Sequence, residues 1–281
     1  MSVLLAGEKH LVWLGATLSS ICILGRAISC GRCVLGLLFS FAVMMRVEAS
    51  EVRVAVASNF AAPMRALAAE FEGSSQHTVK IAYGSSGKFY AQITHGAPFD
   101  VFFSADQAKP AALLDANLAL SNTQFTYAVG RLVLWSANFR DITRGAEVLA
   151  GGEFNKLALA NPKLAPYGTA AVQALESLGL KAETQPKWVL GENISQAFQF
   201  VSTGNADLGF VAGSQLVQLQ REGQLSMTAV WQVPQALYSP VRQDAVLLVR
   251  GAKNPAAIDL LAFMQSPKAQ AIIESYGYSV P

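Results

Sequence analysis

Apolar and polar positions between residues 51 and 104 change period repeatedly, and each change marks an element. Residues 52–57 (Val-Arg-Val-Ala-Val-Ala) read as a strand. From 61 to 72 the apolar residues Met64, Leu67, Ala68 and Phe71 recur at helical spacing, with Ser58 or Asn59 in position to cap that helix. Residues 78–83 predict a second strand, Gly84-Ser85-Ser86-Gly87 a turn, 88–94 a second helix, and 100–104 a short buried strand after Gly96-Ala97-Pro98. The same grammar continues to the end. Strands are expected at 131–136, 157–160, 188–190, 208–211, 228–231 and 245–249, and helices at 169–178, 195–203, 256–265 and 268–276. Strands separated by helices predict an α/β protein whose sheets are mostly parallel and flanked by helices.

An internal echo divides this pattern in two. Residues 92–104 run from a helix end through Gly96, Ala97 and Asp100 into Val-Phe-Phe-Ser, and 202–212 run from a helix end through Gly204, Ala206 and Asp207 into Leu-Gly-Phe-Val-Ala. The echo predicts two similar lobes with a cleft between them. Residues 50–130 with 245–281 would form lobe 1 and 131–244 lobe 2, joined by crossing segments at 126–135 and 242–249.

Residues 1–49 stand apart. Two uncharged apolar runs, 11–24 and 34–45, flank Arg26 and Arg32, and each is short for a span of roughly 20 apolar residues. The second run ends Val47-Glu48-Ala49-Ser50, the order of a signal peptide cleaved after Ala49; a retained membrane hairpin is the alternative. This segment carries all three cysteines (Cys22, Cys30, Cys33), so the body has no disulfide or thiolate site. It also carries the charge excess. Of 21 Lys/Arg and 19 Asp/Glu, residues 1–50 hold four and two, which leaves 17 of each sign. A neutral body without a basic run argues against nucleic acid as a partner.

Candidate chemistry lies at the strand-to-helix turns. Ala57-Ser58-Asn59-Phe60, Tyr83-Gly84-Ser85-Ser86-Gly87, Asn161-Pro162 through Ala165-Pro166-Tyr167-Gly168, and Gly191-Glu192-Asn193-Ile194 each precede a helix. Unsatisfied N–H groups and about half a positive charge sit at a helix start, so four such turns facing one cleft suit a tetrahedral dianion. Ser58, Ser86 and Asn193 could instead be simple caps, Gly84 and Gly87 simple turn residues, and Tyr167 a packed loop aromatic. Gly-Ser-Ser-Gly lacks the spacing and Lys of a phosphate-binding P-loop. A secreted hydrolase using Ser85 or Ser86 would need a histidine base, and the body has only His77 and His95, with no Gly-x-Ser-x-Gly elbow. Two scattered histidines argue equally against a cation site.

Residues 51–281 resemble the periplasmic molybdate-binding proteins of bacterial ABC transporters. The resemblance rests on Ala57-Ser-Asn-Phe, Gly84-Ser-Ser-Gly, Gly96-Ala-Pro-Phe-Asp-Val-Phe-Phe-Ser-Ala-Asp106, Asn161-Pro, Ala165-Pro-Tyr-Gly, Ala206-Asp-Leu-Gly-Phe-Val, Ser266-Pro-Lys-Ala-Gln-Ala-Ile-Ile and Tyr276-Gly-Tyr. It implies the two-lobed class II fold and a monomeric extracytoplasmic protein, not an enzyme, that hands molybdate or tungstate to a membrane permease. It implies no cofactor, and molybdenum only within the bound oxyanion. The ligand set it implies is Ser58, Asn59 and Ser86 from one lobe, with the backbone N–H groups of Tyr167 and Ile194 from the other. A tyrosine hydroxyl that some members supply is replaced here by Ala212. A sulfate- or phosphate-binding protein is the rival reading.

Overall fold

The computed structural model describes residues 49–138 and 141–281; the expected leader, apart from Ala49, lies outside the described residues. Strands β1 (Glu51–Ala57), β2 (Thr78–Gly84), β3 (Val101–Phe103) and β4 (Phe125–Gly130) belong to one sheet. Strands β5 (Leu132–Trp135), β6 (Leu157–Ala160), β7 (Trp188–Gly191), β8 (Leu208–Ala212) and β9 (Val230–Gln232) form the other, and β10 (Val241–Leu247) returns to the first. The orders are β2-β1-β3-β10-β4 and β7-β6-β8-β5-β9. In each sheet the first two pairings are parallel, and one reversed strand, β10 or β5, is inserted antiparallel between its neighbours. The sheets are therefore mixed, with four strands in one direction and one against it. Strands β3 and β8 hold the same place in the two sheets, and they are the strands that end the echoed segments, so the echo reports a structural repeat.

The helices are α1 (Ala61–Ser74), α2 (Ser86–Thr94), α3 (Ala108–Asp115), α4 (Gly145–Gly151), α5 (Pro166–Ser177), α6 (Lys181–Thr184), α7 (Ile194–Ser202), α8 (Gly213–Arg221), α9 (Pro255–Met264) and α10 (Pro267–Ser275). Strand alternation decides which of them cover which face of the first sheet. Val52, Val54, Val56 and Phe103 pack on Met64, Leu67 and Phe71 of α1 with Leu260 of α9 and Ile273 of α10. Ala55, Phe102 and Val246 point the other way, onto Phe89 and Ile93 of α2 and Leu113 of α3. Each fully buried Leu, Ile or Phe of this kind contributes about 1.5–3 kcal/mol. The second lobe has its own core, in which Leu157, Leu159 and Phe210 meet Ala171, Leu175 and Val201. Both lobes thus hold their strand ends rigidly toward the cleft.

Two expectations are corrected. The chain crosses from β4 to β5 at Arg131, within the expected 126–135, but it returns before Val241 and not within 242–249. Lobe 1 therefore resumes at about residue 241, not 245. The polar run Arg242-Gln243-Asp244 hid the start of β10. A register shift between Gln243 and Asp244 explains why two successive polar side chains can both turn inward, where they are 0% and 3% exposed. Helices α3, α4, α6 and α8 were also not expected. Helix α3 carries Pro110 in its first turn, where the missing N–H costs nothing, and α8 has a buried apolar face of little more than Leu216.

Candidate anion site between the lobes

Four strand ends and four helix starts meet where the lobes face each other. β1 leads through the single turn Ser58–Phe60 into α1, and its neighbour β2 leads directly into α2. In the second lobe β6 leads toward α5 and its neighbour β7 toward α7. They meet around a narrow cavity of about 10 Å³ lined by Ala57, Ser58, Asn59, Gly84, Ser85, Ser86 and Ala105 from the first lobe, and by Ala165, Pro166, Tyr167, Asn193 and Ile194 from the second. All five residues singled out in the sequence are among them. None of the twelve carries a charge.

Capping decides which N–H groups remain for a ligand. At α2 the cap is Ser85, whose Oγ accepts from the Lys88 N–H, so the cap reading of Ser86 does not hold. Ser86 Oγ instead accepts the N–H of Ala105 at 2.9 Å, which leaves its own hydroxyl hydrogen to donate. At α7 Asn193 Oδ1 accepts from the Gln196 N–H at 3.1 Å. At α5 the N-cap is Ala165, which has no capping side chain, and Pro166 contributes no N–H. The N–H groups of Ser86, Tyr167 and Ile194, at or next to the first position of their helices, have no carbonyl one turn back to receive them. Those are the donors that line the cavity.

Asn59 lines the cavity with its side-chain amide already engaged. Its Nδ2 donates to Gln243 Oε1 at 2.7 Å and to the Tyr278 hydroxyl at 3.0 Å, so the amide hydrogens face the protein and only main-chain donation is left for the cavity. Beneath it lies a buried polar hub. Gln243 Oε1 also accepts from the Tyr127 hydroxyl at 3.1 Å, and Gln243 Nε2 reaches the Tyr167 hydroxyl at 3.4 Å. Burial is the first cause that raises the Tyr127, Tyr167 and Tyr278 hydroxyls above the ordinary tyrosine value, well above it for the first two, so all three stay protonated and neutral. Gly130, at the first crossing, is required here because a Cβ would overlap the Tyr167 hydroxyl.

The lobes are closed on each other. Ser58 Oγ donates to Asn193 Oδ1 at 3.2 Å, Ser195 Oγ to the Ser58 carbonyl at 3.2 Å, and the Gly87 N–H to the Leu164 carbonyl at 2.9 Å. Lys88 and Glu192 pair across the rim at 3.0 Å, both exposed, and contribute little by themselves. The sequence missed Gln243, Tyr278, Ser214 and the closing role of Gly87; a polar doublet in an apolar strand and the Tyr276-Gly-Tyr motif were the available signals.

Among the described residues no histidine or carboxylate is hydrogen-bonded to the Ser85 or Ser86 hydroxyl. Buried His77 faces Asp259 through Nε2 at 3.1 Å and takes the Ser50 N–H on Nδ1, while His95 Nδ1 lies 2.7 Å from the Ala91 carbonyl at the far end of α2. Neither lines the cavity. Among the described residues no group of three or more His, Cys, Asp or Glu could hold a metal ion, and no helix is long and apolar enough to cross a membrane.

Two lobes closing on an uncharged cavity of helix starts are the architecture of a solute-binding protein, and the family model for bacterial extracellular solute-binding protein matches residues 52–279. The chain belongs to that family. Among its relatives is molybdate-binding protein ModA of Azotobacter vinelandii, 48% identical over 233 residues that cover 83% of this chain and 91% of the relative. The protein of the same name from Rhodobacter capsulatus is 47% identical over 230 residues, 82% of this chain and 88% of the relative. The solved periplasmic molybdate-binding protein of Azotobacter vinelandii superposes with a TM-score of 0.77 at 40% identity, covering 82% of this chain and 99% of that one.

Proposed function

We propose that this protein is the substrate-binding component of a molybdate uptake transporter, holding molybdate or tungstate as a tetrahedral dianion between its lobes. The observation that carries the reading is the uncharged cavity onto which first-turn N–H groups of three helices and two serine hydroxyls converge. The ligand set is Ser58 and Ser86 through hydroxyls and N–H groups, with the N–H groups of Asn59, Tyr167 and Ile194. Helix dipoles and preorganised donors bind an anion without an ion pair that delivery would have to break. Ser58 has one hydroxyl hydrogen, directed at Asn193 in the closed lobes. An arriving anion takes that hydrogen, while Asn193 keeps its cap on Gln196.

The reading extends to the protein's place in the cell. Residues 1–49 are a leader cleaved after Ala49, the mature protein is a periplasmic monomer, and its partner is the membrane permease, which takes the anion from the closed form. It catalyses no reaction. Over sulfate, the names and the 47–48% identity of the two relatives favour molybdate.

Calorimetric titration of the purified protein checks this. Molybdate and tungstate should bind one to one, and sulfate and phosphate at least roughly 100-fold more weakly. Sulfate binding with comparable affinity would refute the molybdate reading and leave a general oxyanion binder.

A further inference from the structure

The Tyr276-Gly-Tyr motif near the end of the chain lies outside the ligand set, yet the structure brings its second tyrosine under the site. After α10 the chain turns at Gly277, which takes φ +80°, and Ser279 exchanges both main-chain hydrogen bonds with Val129 at 2.7 and 3.1 Å. This strap is fastened to β4 one residue before Gly130, where the chain enters the first crossing. It sets the Tyr278 ring edge-on to Phe60 at 5.4 Å, 5% exposed.

The Tyr278 hydroxyl then sits where both lobes and the ligand loop meet. It lies 2.8 Å from the Asn59 carbonyl, 3.0 Å from Asn59 Nδ2 and 2.9 Å from Ser214 Oγ. Ser214 belongs to the first turn of α8 in the second lobe, and its Oγ also donates to the Asn59 carbonyl at 3.0 Å. Two hydroxyls from opposite lobes therefore close a triangle on one peptide carbonyl. That carbonyl lies in the same short turn as the Ser58 and Asn59 donors. Opening the lobes separates Ser214 from this triangle and gives up its hydrogen bond to the Asn59 carbonyl.

We infer that Tyr278 is a positioning residue for ligand capture: with Ser214 it locks the Ser58–Asn59 turn when the lobes close, and so sets how slowly the anion is released. It touches the turn and not the ligand, and the inference rests on the oxyanion-binding reading above.

The test is the molybdate dissociation rate of Tyr278→Phe, measured by stopped-flow fluorescence, beside its calorimetric affinity and the thermal midpoint without ligand. The substitution keeps the ring on Phe60 and removes the hydroxyl alone. Release should be roughly tenfold faster, with the association rate within about twofold of the parent protein; the ligand-free midpoint should fall by a few degrees, because the bonds to Asn59 lie within one lobe and are lost in both states. Ser214→Ala, made from the other lobe, should speed release similarly. The double variant should be no worse than either single one, because both remove the same triangle. Release at the parent rate in Tyr278→Phe would overturn the inference, as would full additivity of the pair. Should Tyr278→Phe fail to fold, Ser214→Ala alone decides by its release rate. Failure of the parent protein to bind molybdate is a separate result that would remove the oxyanion reading and this inference with it.

Discussion

Replacing Ser86 with aspartate should abolish oxyanion binding and leave the protein folded. The change puts a fixed negative charge into a closed cavity built for a dianion. At about 4 Å and an effective dielectric of about 20, each pair of unit charges costs roughly 4 kcal/mol, so a dianion meets about 8 kcal/mol of repulsion, about the whole binding energy of a micromolar ligand. Folding is opposed only where the lobes close over Ser86, which is 1% exposed in the closed form, and opening them relieves that cost. Ser86 is the first residue of α2, where a carboxylate is favoured by the helix dipole, and an aspartate oxygen can still accept the Ala105 N–H that Ser86 Oγ accepts at 2.9 Å. Calorimetry should detect no molybdate binding, while the ligand-free protein should still unfold in one cooperative thermal transition. Retained binding within tenfold of the parent would mean that the anion does not lie against Ser86.

Gly87→Ala should weaken binding by roughly 10- to 100-fold through closure, not through contact with the ligand. Gly87 lies in the first turn of α2, does not line the cavity, and does not take the left-handed backbone that would need glycine. Alanine is the better helix residue by about 1 kcal/mol, so the first lobe alone gains. The cost arises only when the lobes meet. A Cβ at this position would stand 2.9 Å from the Leu164 carbonyl oxygen and 3.1 Å from its Cα, and these belong to backbone that cannot swing aside. It would also press on the contact through which the Gly87 N–H reaches Leu164. The measurable pattern is weaker molybdate affinity, faster release and, by small-angle scattering, a larger radius of gyration at saturating ligand. Unchanged affinity and compaction would show that the lobes close along another path.

The elements were legible where apolar spacing carried them. Met64, Leu67, Ala68 and Phe71 mark a helix face whatever lies around it, and residues 157–160 are apolar because β6 lies inside its sheet and is fully buried. The turns at Ser58, Ser86, Tyr167 and Ile194 were legible for a related reason, since a strand that ends and a helix that begins must expose N–H groups between them. Legibility failed where the partner is remote. Asn59 was read as a ligand, and what the sequence did not show is that its side-chain amide is held by Gln243, 184 positions away, and by Tyr278, 219 positions away. No local pattern encodes such a pairing. The same holds for β10, whose polar Gln243 and Asp244 looked like a loop because the buried partners that accept them come from other strands and loops. Gly87 looked like a turn residue because its reason for being glycine lies on the opposite lobe.

The central claim is that a dianion containing molybdenum is held in this cavity by neutral donors alone. Diffraction from crystals grown with molybdate, recorded at the molybdenum absorption edge, tests it most directly. The account predicts one strong anomalous peak between the lobes, surrounded by oxygens within hydrogen-bonding distance of the Ser58 and Ser86 hydroxyls and the Tyr167 and Ile194 N–H groups, with no Lys or Arg in contact. A peak on a basic surface patch, or none between the lobes, would contradict it.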